Sequence, residues 1–220
     1  MSKSKTINYS MASQSNISLN HPILEKSFAI IDQEVGKHHL SDQEYAIARR
    51  IIHTTADFDY LNLLSFSPDA IQSGISALRQ GTPIITDVTM IKQGIATLVG
   101  KTFHNPIIAA IDLAETAEPG KTRTETGLLR CLAEYPQAIY AIGNAPTALL
   151  ALCQQIPHLS PKPPLIIGAT VGFVAVVESK EVLAQVNIPQ IRVEGRKGGS
   201  TVTAAIINAL LILAWEKENS

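Results

Sequence analysis

The stretch AIYAIGNAPTALLALCQQI, residues 138–156, decides the fold. It opens with an unbroken apolar run, Ala138 to Ile142, turns at the polar pair Gly143-Asn144, and continues as a helical pattern from Ala145 to Ile156. A short apolar run that ends at a turn and feeds a helix reads as a strand buried on both faces. Short apolar runs recur at Pro83–Asp87, Pro106–Ile111, Pro164–Ile167 and Ile188–Val193. Helical stripes lie between or after most of these runs: Leu128, Cys131, Leu132 and Tyr135, then Ser179–Val186, then Thr201–Trp215. Alternating strands and helices predict an α/β fold, a single domain with a largely parallel sheet flanked by helices.

Upstream the pattern is helical. Leu24, Phe28, Ile31 and Val35 recur at helical spacing. Ser41 with Glu44 three residues on forms a capping box, which starts a second helix that ends near His53 to Thr55. Ser67-Pro68 predicts a third helix with Pro68 at its first position and Gly81 beyond its end. Residues 1–18 are rich in Ser and Asn without periodicity and read as a flexible tail, leaving 19–220 as the folded domain.

Composition narrows the function. The chain has 220 residues, 45% hydrophobic and 17% charged, with a net charge of −1. That excludes a disordered chain and argues against nucleic acid as a partner. Two cysteines, Cys131 and Cys153, are too few for a disulfide framework or a cysteine-rich zinc site and read as buried thiols. The N-terminus lacks the apolar core of a secretory signal. The longest apolar stretch, Val202–Trp215, falls short of the roughly 20 residues of a membrane span. The expectation is a cytoplasmic protein with no membrane partner.

In open parallel sheets ligands bind beyond the carboxyl ends of the strands. Thr86, Asp87, Asp112, Asn144 and Glu194 fall there. Each acidic or amide residue among them has two readings, a cap on the next helix or part of a polar rim around a pocket. The loop Gly195-Arg-Lys-Gly-Gly-Ser200 is basic, glycine-rich and precedes a helix, so Arg196 and Lys197 suit carboxylates or phosphates. Nucleotide motifs fail: Gly120-Lys-Thr122 lacks the first P-loop glycine, since position 115 is Glu115. His53 stands out among six histidines, at a helix end after Arg49 and Arg50 and ahead of Asp57. It reads as a helix cap or as a proton donor. No metal-ligand spacing accompanies it, so no metal site is expected.

Seven segments occur in the order of one family: Glu25–Ile31, Arg50–His53, Phe66–Asp69, Pro83–Gly94, Ala141–Leu149, Val171–Phe173 with Glu178–Lys180, and Gly195–Ser200. On these the chain resembles the precorrin-8X methylmutases, also called cobalt-precorrin-8 methylmutases, of cobalamin biosynthesis. The resemblance implies an α/β homodimer and an isomerase that moves a methyl group from carbon 11 to carbon 12 of a tetrapyrrole polycarboxylate. It implies no cofactor, with cobalt present only within the substrate where it is present at all. It places the family's active-site histidine at His53 and pocket residues at Ser27, Arg50 and Arg123. Two departures touch the pocket wall: Thr54-Thr-Ala-Asp57 after the histidine, and Lys197 in the glycine loop. The alternatives are a corrinoid carrier without turnover and a phosphate-sugar or nucleotide enzyme on a doubly wound sheet.

Overall fold

A computed structural model of the chain describes residues 22–218, so the tail expected at residues 1–18 lies outside the described residues. The chain runs α1 (Pro22–Val35), α2 (Asp42–Thr55), α3 (Tyr60–Leu63), β1 (Leu64–Phe66), α4 (Ala70–Arg79), β2 (Ile84–Thr86) and α5 (Thr89–Lys101). It continues β3 (Ile107–Ala109), a 3-10 turn at Ala110–Leu113, α6 (Arg123–Glu134), β4 (Ile139–Ile142) and α7 (Pro146–Gln155). It ends β5 (Ile166–Gly168), α8 (Val176–Ala184), β6 (Gln190–Val193) and α9 (Ser200–Glu218).

The strands form one sheet in the order β1-β6-β5-β4-β2-β3, parallel except for β1 against β6. Successive strand residues enter opposite cores, as the pleat requires. Ile84, Ile139, Ala141, Ile167 and Ile191 join the core shared with α2, α4, α5 and α9. Ile85, Tyr140, Ile142 and Ile166 join the core shared with α6, α7 and α8. Burial on both faces is why β2, β4 and β5 are legible as short apolar runs.

The handedness of the connections explains the two helix layers. From β2 the chain steps outward to β3, and from β4 it steps the other way to β5 and β6. Right-handed crossovers in opposite directions put α5 on one face and α7 and α8 on the other. The β2–β4 boundary is therefore the topological switch point. One buried carboxylate spans it. Asp87, directly after β2, accepts N–H groups from Gly143 at 3.2 Å and from Asn144 and Ala145 at 2.7 Å each. Burial pushes its carboxyl up, and the three N–H bonds pull it back. Thr86 is equally buried, its hydroxyl donating to the Val88 carbonyl. Asp87 does not cap the next helix, α5, whose N-terminus has no side-chain cap; its carboxylate instead holds the turn between β4 and α7.

Three local expectations change. Ser67 pairs with β6, its N–H donating to the Gln190 carbonyl and its Oγ accepting the Gln190 N–H. That pairing extends β1 and delays α4 to Ala70, so Pro68 lies in the turn and not at the first helical position. The antiparallel edge strand β1 had no apolar-run signature. Helix α5 was not assigned from sequence, although Ile91, Ile95 and Val99 are spaced by four and buried.

α9 is 19 residues long and apolar enough to cross a membrane by length and composition. It lies inside the protein instead, packed against α2, α4, α5 and β4. Val202, Ile206, Ile207, Leu210 and Leu211 are buried within this one chain, which accounts for its apolar circumference without a second subunit.

Asp87→Ala leaves three backbone N–H groups without their acceptor at the point where the sheet changes direction. Charged hydrogen bonds contribute roughly 1.5–3 kcal/mol each, so the expected loss is at least about 3 kcal/mol of unfolding free energy, measured by urea denaturation. A loss near zero contradicts the role assigned to this carboxylate.

Candidate active site

An open groove of about 770 Å³ lies where the last turns of α2 meet the first turns of α5 and α9. α5 and α9 follow β2 and β6, so this end of the groove stands at the carboxyl side of the sheet. Its walls include Arg50 and Thr54 of α2, Thr89 and Met90 of α5, and Ser200 and Asn208 of α9. The floor is made of small residues: a Cβ on Gly94 would come within 2.9 Å of the Ala204 Cβ. That close helix contact leaves room above it. Met90 is 63% exposed and gives the groove an apolar lip.

His53 occupies the last turn of α2, between Arg50 and Thr54. The capping box at Ser41 starts that helix as expected, and Ala56 ends it in a left-handed conformation. The imidazole is exposed, and its Nδ1 lies 2.8 Å from the Ser27 hydroxyl of α1. Its ring meets the edge of Phe28 at 5.8 Å between centroids. The protein thus holds the ring through Nδ1 and the Phe28 edge. Arg50 is partly buried; burial and the adjacent Arg49 lower its proton affinity while Glu216 raises it. A guanidinium remains charged through such shifts.

The structure brings together Ser27, Arg50 and His53 of the residues expected from sequence. Of the three only Arg50 lines the groove; His53 lies on the same last turn of α2 beside it, Ser27 reaches it from α1, and the other expected residues also lie outside the lining. Thr86 and Asp87 are buried, and their side chains bond the Val88 carbonyl and the N–H groups of the β4–α7 turn. Asn144 is exposed, and its backbone N–H serves Asp87. Arg123 is the exposed first residue of α6, with Nη2 3.4 Å from the Ile111 carbonyl. Arg196 is exposed with its guanidinium 5.7 Å from the Phe173 ring centre. Lys197 does not present a free cation: its Nζ donates to Asp57 and Asp59, each at 2.6 Å. Those bonds raise the lysine and hold the Asp57 carboxyl below its ordinary range. Among the described residues no three His, Cys, Asp or Glu side chains cluster as a metal site.

Sequence reasoning missed how the glycine loop is held. Lys180 of α8 is 1% exposed, and its Nζ donates to the carbonyls of Gly195 and Lys197 at 2.8 Å each. Gly198 has no room for a side chain, because a Cβ there would collide with the Ala169 carbonyl oxygen. The Gly199 N–H closes the loop on that same oxygen at 2.7 Å. The loop therefore delivers Ser200 to the groove as a rigid corner. The available signal was Lys180 sitting on the apolar stripe of Val176 and Leu183.

The precorrin-8X methylmutase family model matches residues 22–213. The cobalt-precorrin-8 methylmutase of Synechocystis sp. is 59% identical over 215 aligned positions, covering 91% of this chain and 99% of that protein. The precorrin-8X methylmutase of Sinorhizobium sp. is 37% identical, covering 86% and 92%. The solved precorrin-8X methylmutase of Thermus thermophilus superposes with a TM-score of 0.81 at 38% identity, covering 89% of this chain and 96% of that one. Fold and family together define an intramolecular methyl-shifting isomerase of cobalamin biosynthesis. Within that class the chain belongs to the precorrin-8X methylmutase family.

Burial pulls the Lys180 ammonium down to about 8, with Glu194 opposing. Between about 8 and the ordinary 10.5 the unfolded chain holds a proton that the folded chain has shed. Stability therefore rises with pH in that window, and the cost of the buried charge is fully present below it. The unfolding free energy of the wild type should gain on that of Lys180→Met between pH 7 and pH 9, measured by urea denaturation. Parallel curves would contradict this.

Proposed function

We propose that this chain converts cobalt-precorrin-8 to cobyrinate by moving a methyl group from carbon 11 to carbon 12 of the ring, with His53 as the proton donor. The observation that carries the reading is the 2.8 Å contact from Ser27 Oγ to His53 Nδ1, on the same helix turn as the groove wall. In the proton-donating imidazolium form Nδ1–H donates to Ser27 Oγ, Nε2–H is the proton given to the bound ring, and the neutral imidazole takes a proton back once the methyl group has moved. The reaction is an isomerisation: the carbon–methyl bond at carbon 11 breaks as that at carbon 12 forms, with no net oxidation. Such a shift needs orientation and one well-placed proton more than covalent help.

Recognition in this reading rests on Arg50, whose planar guanidinium suits a substrate carboxylate at the groove wall. Met90, Ala204 and Ala205 supply apolar surface for the macrocycle, and the groove volume sits within the roughly 300–1,000 Å³ of small-molecule sites. Arg123 and Arg196 lie outside the groove lining, and any contact of theirs with substrate is to its peripheral carboxylates. The choice of the cobalt-containing substrate follows the name carried by the 59% identical relative. The reaction needs no added cofactor and takes place in the cytoplasm.

Purified protein with substrate alone, in a chelating buffer, tests the reading. Turnover is expected with cobalt-precorrin-8 in excess of that with the metal-free compound. His53→Ala is expected to bind the tetrapyrrole and lose turnover by at least roughly 10²-fold, the scale of a general acid. Turnover near wild type overturns the assignment.

The same reading includes a homodimer. It is supported by an apolar tongue after β5, where Phe173 and Val174 are each 85% exposed and Val171 is 45% exposed. Sedimentation equilibrium at micromolar concentrations is expected to give twice the mass of one chain, and Phe173→Glu to shift it toward monomer. Monomer mass throughout for the wild type rejects the dimer.

A further inference from the structure

α1 carries Ser27 to His53, yet it is lightly anchored. It buries Phe28 and Ile31, packs Leu24 and Val35 partly against the same core, lies on α2, and leaves Ile23 and Ile30 at 70% and 58% exposure. Apolar contact is non-directional, whereas hydrogen bonds fix direction, so the polar contacts set its slide and rotation on α2.

Those contacts form a ladder. Tyr45, Arg49 and His53 recur every four residues and share one stripe of α2. Asp32 and Phe28, also four apart, face them from α1, with Ser27 beside Phe28. Asp32 Oδ1 accepts from Tyr45 Oη at 2.6 Å, and Oδ2 accepts from Arg49 Nη1 at 2.9 Å. The Arg49 guanidinium lies 4.3 Å from the centre of the Phe28 ring. Phe28 in turn meets His53 edge-on at 81°. The last rung is Ser27 on His53 Nδ1.

We infer that Asp32 is a positioning residue for His53: its two bonds to α2 set the register of α1, and that register brings the Ser27 hydroxyl to the imidazole. The inference rests on the reading of His53 as proton donor. Side-chain exposures of 28% and 42% for Arg49 and Asp32 make the ion pair a weak source of stability, so its role is geometric. Arg49 Nε is buried without a hydrogen-bond partner. Loss of the Asp32 carboxylate therefore loosens a guanidinium that has little else to keep it over Phe28. Misplacement of a reacting group by about 1 Å is enough to lower turnover strongly.

Nitrogen-15 spectra of the histidine rings at one fixed pH read the last rung directly, with Ser27→Ala marking the broken bond. Asp32→Asn is expected to move the His53 ring resonances toward those of Ser27→Ala. It is also expected to lower kcat about 10-fold with KM within about twofold, as for a group that acts through geometry. Tyr45→Phe removes one of the two Asp32 bonds and is expected to shift the resonances less, in the same direction, which keeps the test alive if Asp32→Asn folds poorly. His53 resonances at the wild-type position in both variants overturn the inference, as does an unchanged kcat in both while His53→Ala is impaired. If His53→Ala turns over normally, the histidine reading fails by itself, and the ring resonances still decide whether Asp32 sets the Ser27 contact.

Discussion

One buried carboxylate holds the switch point of this sheet. Strands β2 and β4 lie side by side, but the chain leaves them in opposite directions, so their exit loops share no ladder of their own. The Asp87 carboxylate supplies the missing acceptor for three N–H groups of the β4–α7 turn. Gly143 in that turn sits against Thr203 of α9, where a Cβ would overlap the threonine hydroxyl. The turn that the carboxylate holds thus packs against the first turn of α9, and the start of α9 is a wall of the groove. A buried charge is tolerable here because its partners are backbone groups that would otherwise be unsatisfied.

A second buried ion does the same for the glycine loop. Lys180 takes two carbonyls that turn away from any strand or helix, and the loop closes on β5 through Gly199. Neither ion reaches the groove. Both spend their charge on backbone that carries groove residues, so the open site is built on interior electrostatics. The surface ions behave differently. Lys197 with Asp57 and Asp59 ties the end of α2 to the same loop, but it is exposed, and pairs of that kind add little to stability.

The active-site turn of α2 is shaped from two sides. α9 and α5 bound it on the groove side, and α1 bounds it through Phe28, Ser27 and the Asp32 ladder. His53, on the turn beside the groove wall, is oriented by one hydroxyl of α1. In the proposed function that arrangement suits a reaction whose chemistry asks for placement and a proton, with substrate recognition at Arg50.

The sequence by itself determined the parallel sheet, because strands buried on both faces must be apolar throughout and therefore announce themselves as short unbroken runs. It determined the α2 capping box, whose partners are three residues apart, and it singled out His53, Ser27 and Arg50 by position in ordered motifs. It did not reveal β1, an edge strand without that run, or the delay of α4, which depends on Ser67 meeting Gln190 123 residues away. Only the tertiary structure decided the fate of the charged residues. Asp87 and Lys197 looked like ligand contacts, and each is committed to groups distant in sequence; Lys180 looked like one more helical lysine and is buried. Hydrophobic patterning is local and periodic, so it is written along the chain. Where a charge finds its counter-charge depends on which loops the fold brings within hydrogen-bond reach, and that is settled only when the chain has closed on itself.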